Sequence, residues 1–260
     1  MFSEHMNPEH EHQAQLEHEW KKQSLTIEAI LSQGMEAYAQ SVEGVDAAFE
    51  TEDHTLCCID EGTPFGDRRS AGSGILVEGD DRATFIENLK RVGVKEVTSH
   101  AGCGAAALYR EKMGLTGQSV DEVAQEGARR IAQELGVPYK GHLTELARPK
   151  DFHSARVVYV DGTGSFNPAA VEGLPAGFVV SRKFMTPEQS KVEVGIALSI
   201  AFGDHGFGKK FSDREPLVVV AIGGGELTAE QMMHELMGLA GDRPVRLEKW
   251  ERKEVLEKAA

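Results

Sequence analysis

Short apolar runs of strand length alternate along this chain with longer segments whose apolar residues recur at helical spacing. That alternation restricts the fold more than any other feature. The runs are 54–60 (HTLCCID), 75–77 (ILV), 94–99 (VKEVTS), 156–160 (RVVYV), 177–181 (GFVVS) and 217–222 (LVVVAI). Predicted helices lie at 80–91, beyond Cys103, at 119–135, from Pro187 to about 200, and beyond Thr228. Ser119 and Glu122 form a capping box, Gly136 suits a helix stop, and Pro187 suits a first turn. Strands alternating with helices of about 10–17 residues predict an α/β fold with a mostly parallel central sheet flanked by helices. Ser24 is read as the N-cap of an N-terminal helix that buries Leu25, Ile27, Ile30, Leu31, Met35 and Tyr38.

Residues 1–45 are read as an N-terminal helical arm and 46–260 as one α/β zinc-binding domain, with 163–260 a subdomain or family-specific extension. No internal repeat is visible. Residues 1–23 are polar and carry His5, His10, His12 and His18 among carboxylates. A solvated arm is the plain reading; a metal-scavenging arm lacks any fixed ligand spacing. A chain of 260 residues buries a core without staples. The balance of 42 acidic against 28 basic residues gives a formal charge of −14, which repels nucleic acid and anionic lipid. No apolar run approaches the roughly 20 residues that span a bilayer. The first residues lack the basic and apolar regions of a secretory signal. Three cysteines are too few for a disulfide framework, so a reducing, cytoplasmic location is expected.

Ligands bind at the carboxyl ends of strands in open α/β sheets. Two predicted strand ends carry soft metal ligands, Cys57-Cys58-Ile59-Asp60 and His100-Ala101-Gly102-Cys103. Alternation points Cys58 and Asp60 to one face and Cys57 to the other, where it serves as core. His100 and Cys103 are separated by a tight Ala-Gly turn that lets both reach one ion. Cys58, His100 and Cys103 then make a zinc set with its fourth position open, the catalytic pattern. A buried cysteine is ordinarily a small hydrophobe, so unrelated packing is the competing reading.

Cys58-x-Asp60 at one strand end and His100-x-x-Cys103-Gly104 at another resemble the β-class carbonic anhydrases, over about residues 54–108. Arg69-Ser70-Ala71-Gly72-Ser73 resembles the family's middle element with Ser in place of Asn. The resemblance implies zinc-dependent hydration of CO2 to bicarbonate by a metal-bound hydroxide that Asp60 orients, favoured at alkaline pH by the two thiolates. It also implies a homodimer or higher homo-oligomer, with the N-terminal helices at 8–42 as exchange elements. One departure matters. The family's Arg two residues beyond the Asp, which holds that carboxylate off the metal, is Gly62 here. Either Asp60 closes the site as a fourth ligand, or Arg68 or Arg69 from the same Gly-rich loop takes over the pairing, which is the outcome expected.

Loop GTPFGD is similar to one in the cadmium-tolerant carbonic anhydrases of diatoms, and soft thiolates make Cd2+ a possible substitute for Zn2+. Hydrolysis of carbonyl sulfide or carbon disulfide is an alternative, since each presents the same linear electrophile. A non-catalytic zinc-stabilised binding module, closed by Asp60, is another. A redox protein using Cys57 and Cys58 is disfavoured by the absence of CxxC. Gly223-Gly224-Gly225 reads as a strand-to-helix turn. The loop 203–211, with His205, Lys209 and Lys210, is either a surface loop or a lid. His54, His142, His153 and His205 are all candidates to shuttle protons.

Overall fold

The computed structural model describes residues 8–252. His5 therefore lies outside the described residues. The chain opens with α1 (Pro8–Gln33) and α2 (Met35–Ser41), separated at Gly34, whose φ of 85° favours glycine. The helix begins well before Ser24, which is interior and donates its hydroxyl to the Trp20 carbonyl. Trp20, Ile27 and Ile30 form the buried stripe, while Leu25 lies on the opposite side and is 80% exposed. Trp20 stacks edge-on to Phe207 and Phe211, and the Arg156 guanidinium lies 3.6 Å from its ring centre.

The first half continues with β1 (Thr55–Cys57), β2 (Arg68–Arg69), α3 (Gly79–Arg91) and β3 (Glu96–His100). Then come α4 (Gly104–Lys112), α5 (Val120–Leu135) and β4 (Tyr139–Leu143). Its sheet has the order β2-β1-β3-β4, all parallel. The second half comprises β5 (Val157–Asp161), β6 (Phe178–Val180), α6 (Pro187–Phe202), β7 (Leu217–Gly223), α7 (Ala229–Leu236) and β8 (Val245–Glu251). Its sheet has the order β6-β5-β7-β8, again all parallel. The second half thus repeats the connectivity of the first, a repeat that the sequence does not display. The two sheets meet along their β2 and β6 edges, where Ser181 N donates to Arg69 O and Val179 N to Ile59 O, both at 3.0 Å.

The α/β expectation holds, with two four-stranded sheets in place of one. Alternation along the second sheet sends Val158, Val160 and Val219 into a core shared with α6 and α7. Val157, Tyr159 and Val218 point the other way, onto Ile27, Ile30 and Met35 from the N-terminal helices. The Ser119–Glu122 capping box and the left-handed Gly136 (φ 74°) close α5 as expected. The run 75–77 is not a strand; Ile75 packs on α5 where Gly127 leaves no room for a Cβ. β4 and β8 carry no contiguous apolar run, because both are sheet-edge strands with polar residues interleaved.

Because Trp20 anchors α1 in the core, Trp20→Ala should lower the unfolding free energy by about 3–5 kcal/mol. Urea denaturation measures this. A loss below about 1 kcal/mol, the scale of surface substitutions, would instead make α1 a detachable arm.

Candidate metal centre

The main chain leaves β1 at Cys57 and places Cys58 and then Asp60 on the same side. β3 ends at His100, and Gly102 turns the chain with φ 65°, a left-handed conformation that favours glycine. Cys103 follows as the N-cap of α4, so the helix N–H groups of Ala105 and Ala106 face its sulfur. Cys58 Sγ, Cys103 Sγ and a His100 ring nitrogen lie within 4.8 Å of one another, all buried. The sulfurs are 3.8 Å apart and unbonded. Two thiolates at about 2.3 Å from a tetrahedral zinc are separated by about 3.8 Å, so the spacing suits that ion.

Three further observations fit a cation here. His100 Nδ1 donates to the Ala101 carbonyl at 2.9 Å, which leaves Nε2 as the ring nitrogen available to an ion. That Nε2 is buried and has no hydrogen-bond partner. Burial opposes protonation of His100, but the Cys58 sulfur and Asp60 outweigh it and lift its pKa to about 9. The donor set thus favours a positive charge among its members. Cys103 is held below the ordinary thiol range, chiefly by a hydrogen bond from Cys58 and then by the α4 N–H groups, against the effect of burial. Gly72 N donates to Cys58 Sγ at 3.2 Å.

The expected partner of Asp60 is corrected. Neither Arg68 nor Arg69 reaches its carboxylate. Arg148, in the segment between β4 and β5, does so with a two-toothed fork: Nε to Oδ1 at 2.9 Å and Nη2 to Oδ2 at 2.9 Å. Gly62 N adds a third donor to Oδ1 at 2.8 Å. A Cβ on Gly62 would come within 2.7 Å of Arg148 Cγ. Gly62, where the resemblance would put an arginine, therefore leaves the path clear for Arg148. Burial raises the pKa of Asp60, but His100 and Arg148 prevail and hold the carboxyl well below its usual range. Arg69 instead donates to the carbonyls of Gly66, Cys58, Asp60 and Thr63, and to Asn167 Oδ1. It fixes the main chain around the site and not the carboxylate. Arg68 pairs with Asp67 and covers Phe184.

Asp60 Oδ2 lies 3.9 Å from His100 Nε2 and 3.7 Å from His153 Nδ1. His153 Nδ1 is bonded to Glu61 Oε2 at 2.8 Å, and Ser154 N donates to Glu61 Oε1 at 2.8 Å. A cavity of about 10 Å3, near the room one water needs, is bounded by Cys58, Asp60, His153, Phe178, Ile196 and Ile200. His153, Ile196 and Ile200 also line an adjoining pocket of about 470 Å3, as do Arg148 and His205. The loop 203–211 thus reaches the pocket through His205, whose carbonyl accepts from His153 N. His54 is bonded to Asp67, and His142 to Ser99; neither lines these cavities. Cys57 points away from the site toward the carbonyls of Phe65 and Arg68, its thiol pushed up to about 12 by burial.

Arg148, Glu61 and the distinction of His153 among the histidines were not legible in the sequence. Arg148 stands 88 residues from Asp60 in a polar segment without a motif. The one available signal was negative: an Asp in that pattern with Gly62 where an arginine belongs. No family model matches the chain, and no curated protein or solved structure matches it significantly. No helix among the described residues is long and apolar enough to cross a membrane.

Two outcomes follow. Purified protein should carry about one zinc per chain, and Cys103→Ser should lose it together with much stability, since metal sites and folding are coupled; elemental analysis and thermal unfolding check this. Secondly, Asp60 is depressed from 3.8 to about 2, so its pairing contributes fully above pH 3.8 and fades as pH falls toward 2. In metal-free protein, Arg148→Ala should cost about 3–5 kcal/mol near neutral pH, by leaving a buried charge unpaired. Urea titrations should show that gap closing on acidification; a pH-independent gap would contradict the pairing.

Proposed function

We propose that the chain binds zinc through Cys58, His100 and Cys103 and hydrates CO2 to bicarbonate, with Asp60 as the orienting carboxylate. The observation that carries this reading is the buried, unpartnered Nε2 of His100, grouped with the Cys58 and Cys103 sulfurs and close to Asp60, which borders a water-sized cavity. Zinc, when bound, supplies a Lewis acid that brings the ionisation of water near neutral pH.

The remaining work falls to the chain. Arg148 and Gly62 N hold the Asp60 carboxylate, which opposes its use as a fourth ligand. Asp60 Oδ2, on the His100 side, is placed to accept a hydrogen bond from water and so aim its oxygen lone pair at substrate. Phe178, Ile196 and Ile200 give the cavity an apolar wall that suits a small neutral molecule and excludes bulk water. Hydration releases one proton. His153, whose Nδ1 is held by Glu61, keeps Nε2 free to take that proton and stands between the cavity and the outer pocket. β6 and α6, which furnish the apolar wall, belong to the same chain as the three donors.

Stopped-flow CO2 hydration on zinc-loaded protein tests the reading, with carbonyl sulfide and carbon disulfide assayed in parallel. Wild type should hydrate CO2 with a rate that rises with pH. Asp60→Asn should keep its zinc and lose about 100-fold or more in rate, the scale of a lost acid–base group. Full zinc with no CO2 turnover at any pH would refute it, and turnover of the sulfur compounds alone would make the protein a hydrolase of those.

A further inference from the structure

Glu193, on α6, is a buried carboxylate with no cation within ion-pair distance among the described residues. Burial lifts its pKa to about 7, with its two hydrogen bonds pulling the other way. Taking such a group out of water is costly unless its oxygens are used. Both are. Ser70 Oγ donates to Oε1 at 2.6 Å and Ala71 N donates to Oε2 at 2.9 Å.

Those bonds grip one end of a strained turn. Gly72 and Ser73 both have φ 58°, the left-handed region that a residue with a side chain seldom enters. Ser73 Oγ grips the other end by donating to the Thr98 carbonyl at 2.6 Å. Between the two grips lies the Gly72 N–H, which points at Cys58 Sγ from 3.2 Å. A turn held from both sides delivers a single hydrogen bond to the sulfur.

We propose that Glu193 is a positioning residue: by holding Ser70 and Ala71 it keeps the Gly72 N–H on the Cys58 sulfur and so weakens that thiolate's donation to the bound metal. The proposal rests on the reading of Cys58, His100 and Cys103 as metal ligands. Groups that hydrogen-bond a metal ligand orient it and tune its basicity. A hydrogen bond to a thiolate lowers the energy of its lone pair, so losing that bond raises it. Freed from Glu193, the turn relaxes out of the left-handed region and carries the N–H off the sulfur.

The test uses full-length protein loaded with Co2+ in place of zinc, read by the near-ultraviolet sulfur-to-cobalt charge-transfer band. Glu193→Met fills the space without an acceptor. It should move the band to longer wavelength. Glu193→Gln should restore the band, because its amide oxygen accepts from Ala71 N while its amide NH2 donates to Ser70 Oγ. Ser70→Ala, which removes one grip and leaves the other, should move the band in the same direction by less, and it decides the matter if Glu193→Met does not fold. Ser190→Ala, which removes a buried hydroxyl from the same helix, should leave the band in place. An unmoved band in cobalt-loaded Glu193→Met or Ser70→Ala overturns the proposal and reduces Glu193 to packing. Failure of wild type to take up cobalt at all overturns the metal centre itself, and the proposal with it.

Discussion

The join between the two sheets decides where everything else can be. At that seam, Arg69 O accepts from Ser181 N while Arg69 N donates to Ser181 Oγ at 2.9 Å, and Ile59 O accepts from Val179 N. The acceptors are residues of the loop that carries Cys58 and Asp60 and of its neighbouring strand, so the seam runs beside both. The Arg69 side chain stiffens it. A guanidinium has five N–H donors, and here they reach four carbonyls around the 58–66 loop and Asn167 of the second half. A buried Arg of this kind is tolerated only because carbonyl dipoles replace the water it has lost. One consequence is that Phe178 and α6 are drawn over the mouth of the site. The other is that the loop carrying Asp60 has no freedom to rearrange independently of β6.

The repeated strand order gives the second half a definite relation to the first. Asp161 stands at the end of β5 as Asp60 stands beyond β1, and each accepts from the N–H two residues on, Thr163 or Gly62, at 2.8 Å. Matching the two aspartates places Leu56 on Val157. The pairs Leu56–Val97 and Val157–Val218 then carry His100 onto Ala221 and Cys103 onto Gly224, while Cys58 falls on Tyr159. The second half keeps the loop-capping aspartate and has none of the three metal donors. Tyr159 fills its position with a ring packed on Phe166 and a hydroxyl donated to the Pro175 carbonyl. The second half, without those donors, supplies wall and support to the first: Phe178, Ile196 and Ile200 toward the cavity, Glu193 toward the turn behind Cys58.

What the sequence disclosed divides along the same physical line. Cys58, His100 and Cys103 were legible because strand alternation and one Gly turn fix their directions locally. The α5 boundaries were legible because Ser119, Glu122 and Gly136 are read within a few residues of where they act. The repeat was not, because like topology needs only like hydrophobic alternation, and the loops joining β1 to β2 and β5 to β6 differ in length. Edge strands β4 and β8 escaped notice for want of a second apolar face. Ser24, a good cap by type, does not start α1 because it is bonded back to Trp20 O inside a helix already formed.

The pairing of Asp60 shows most plainly where local reasoning ends. A carboxylate beside a metal must be held by a cation if it is not to become a ligand, and the resemblance placed that cation two residues away. The requirement is one of charge and direction, and it says nothing of where along the chain the cation originates. Arg68 and Arg69 were near in sequence, but both are committed, one to Asp67 and the other to backbone carbonyls. Arg148 meets the requirement from the far side, with its stem crossing Gly62 and its remaining donors on the carbonyls of Pro149 and Phe152. Those carbonyls tie the pair to the segment that carries His153, so the group holding Asp60 and the imidazole beside it are set by one stretch of chain. A cation at 148 rather than 62 thereby couples the charge beside Cys58, His100 and Cys103 to the wall of the outer pocket, which an arginine within the 58–69 loop would not do.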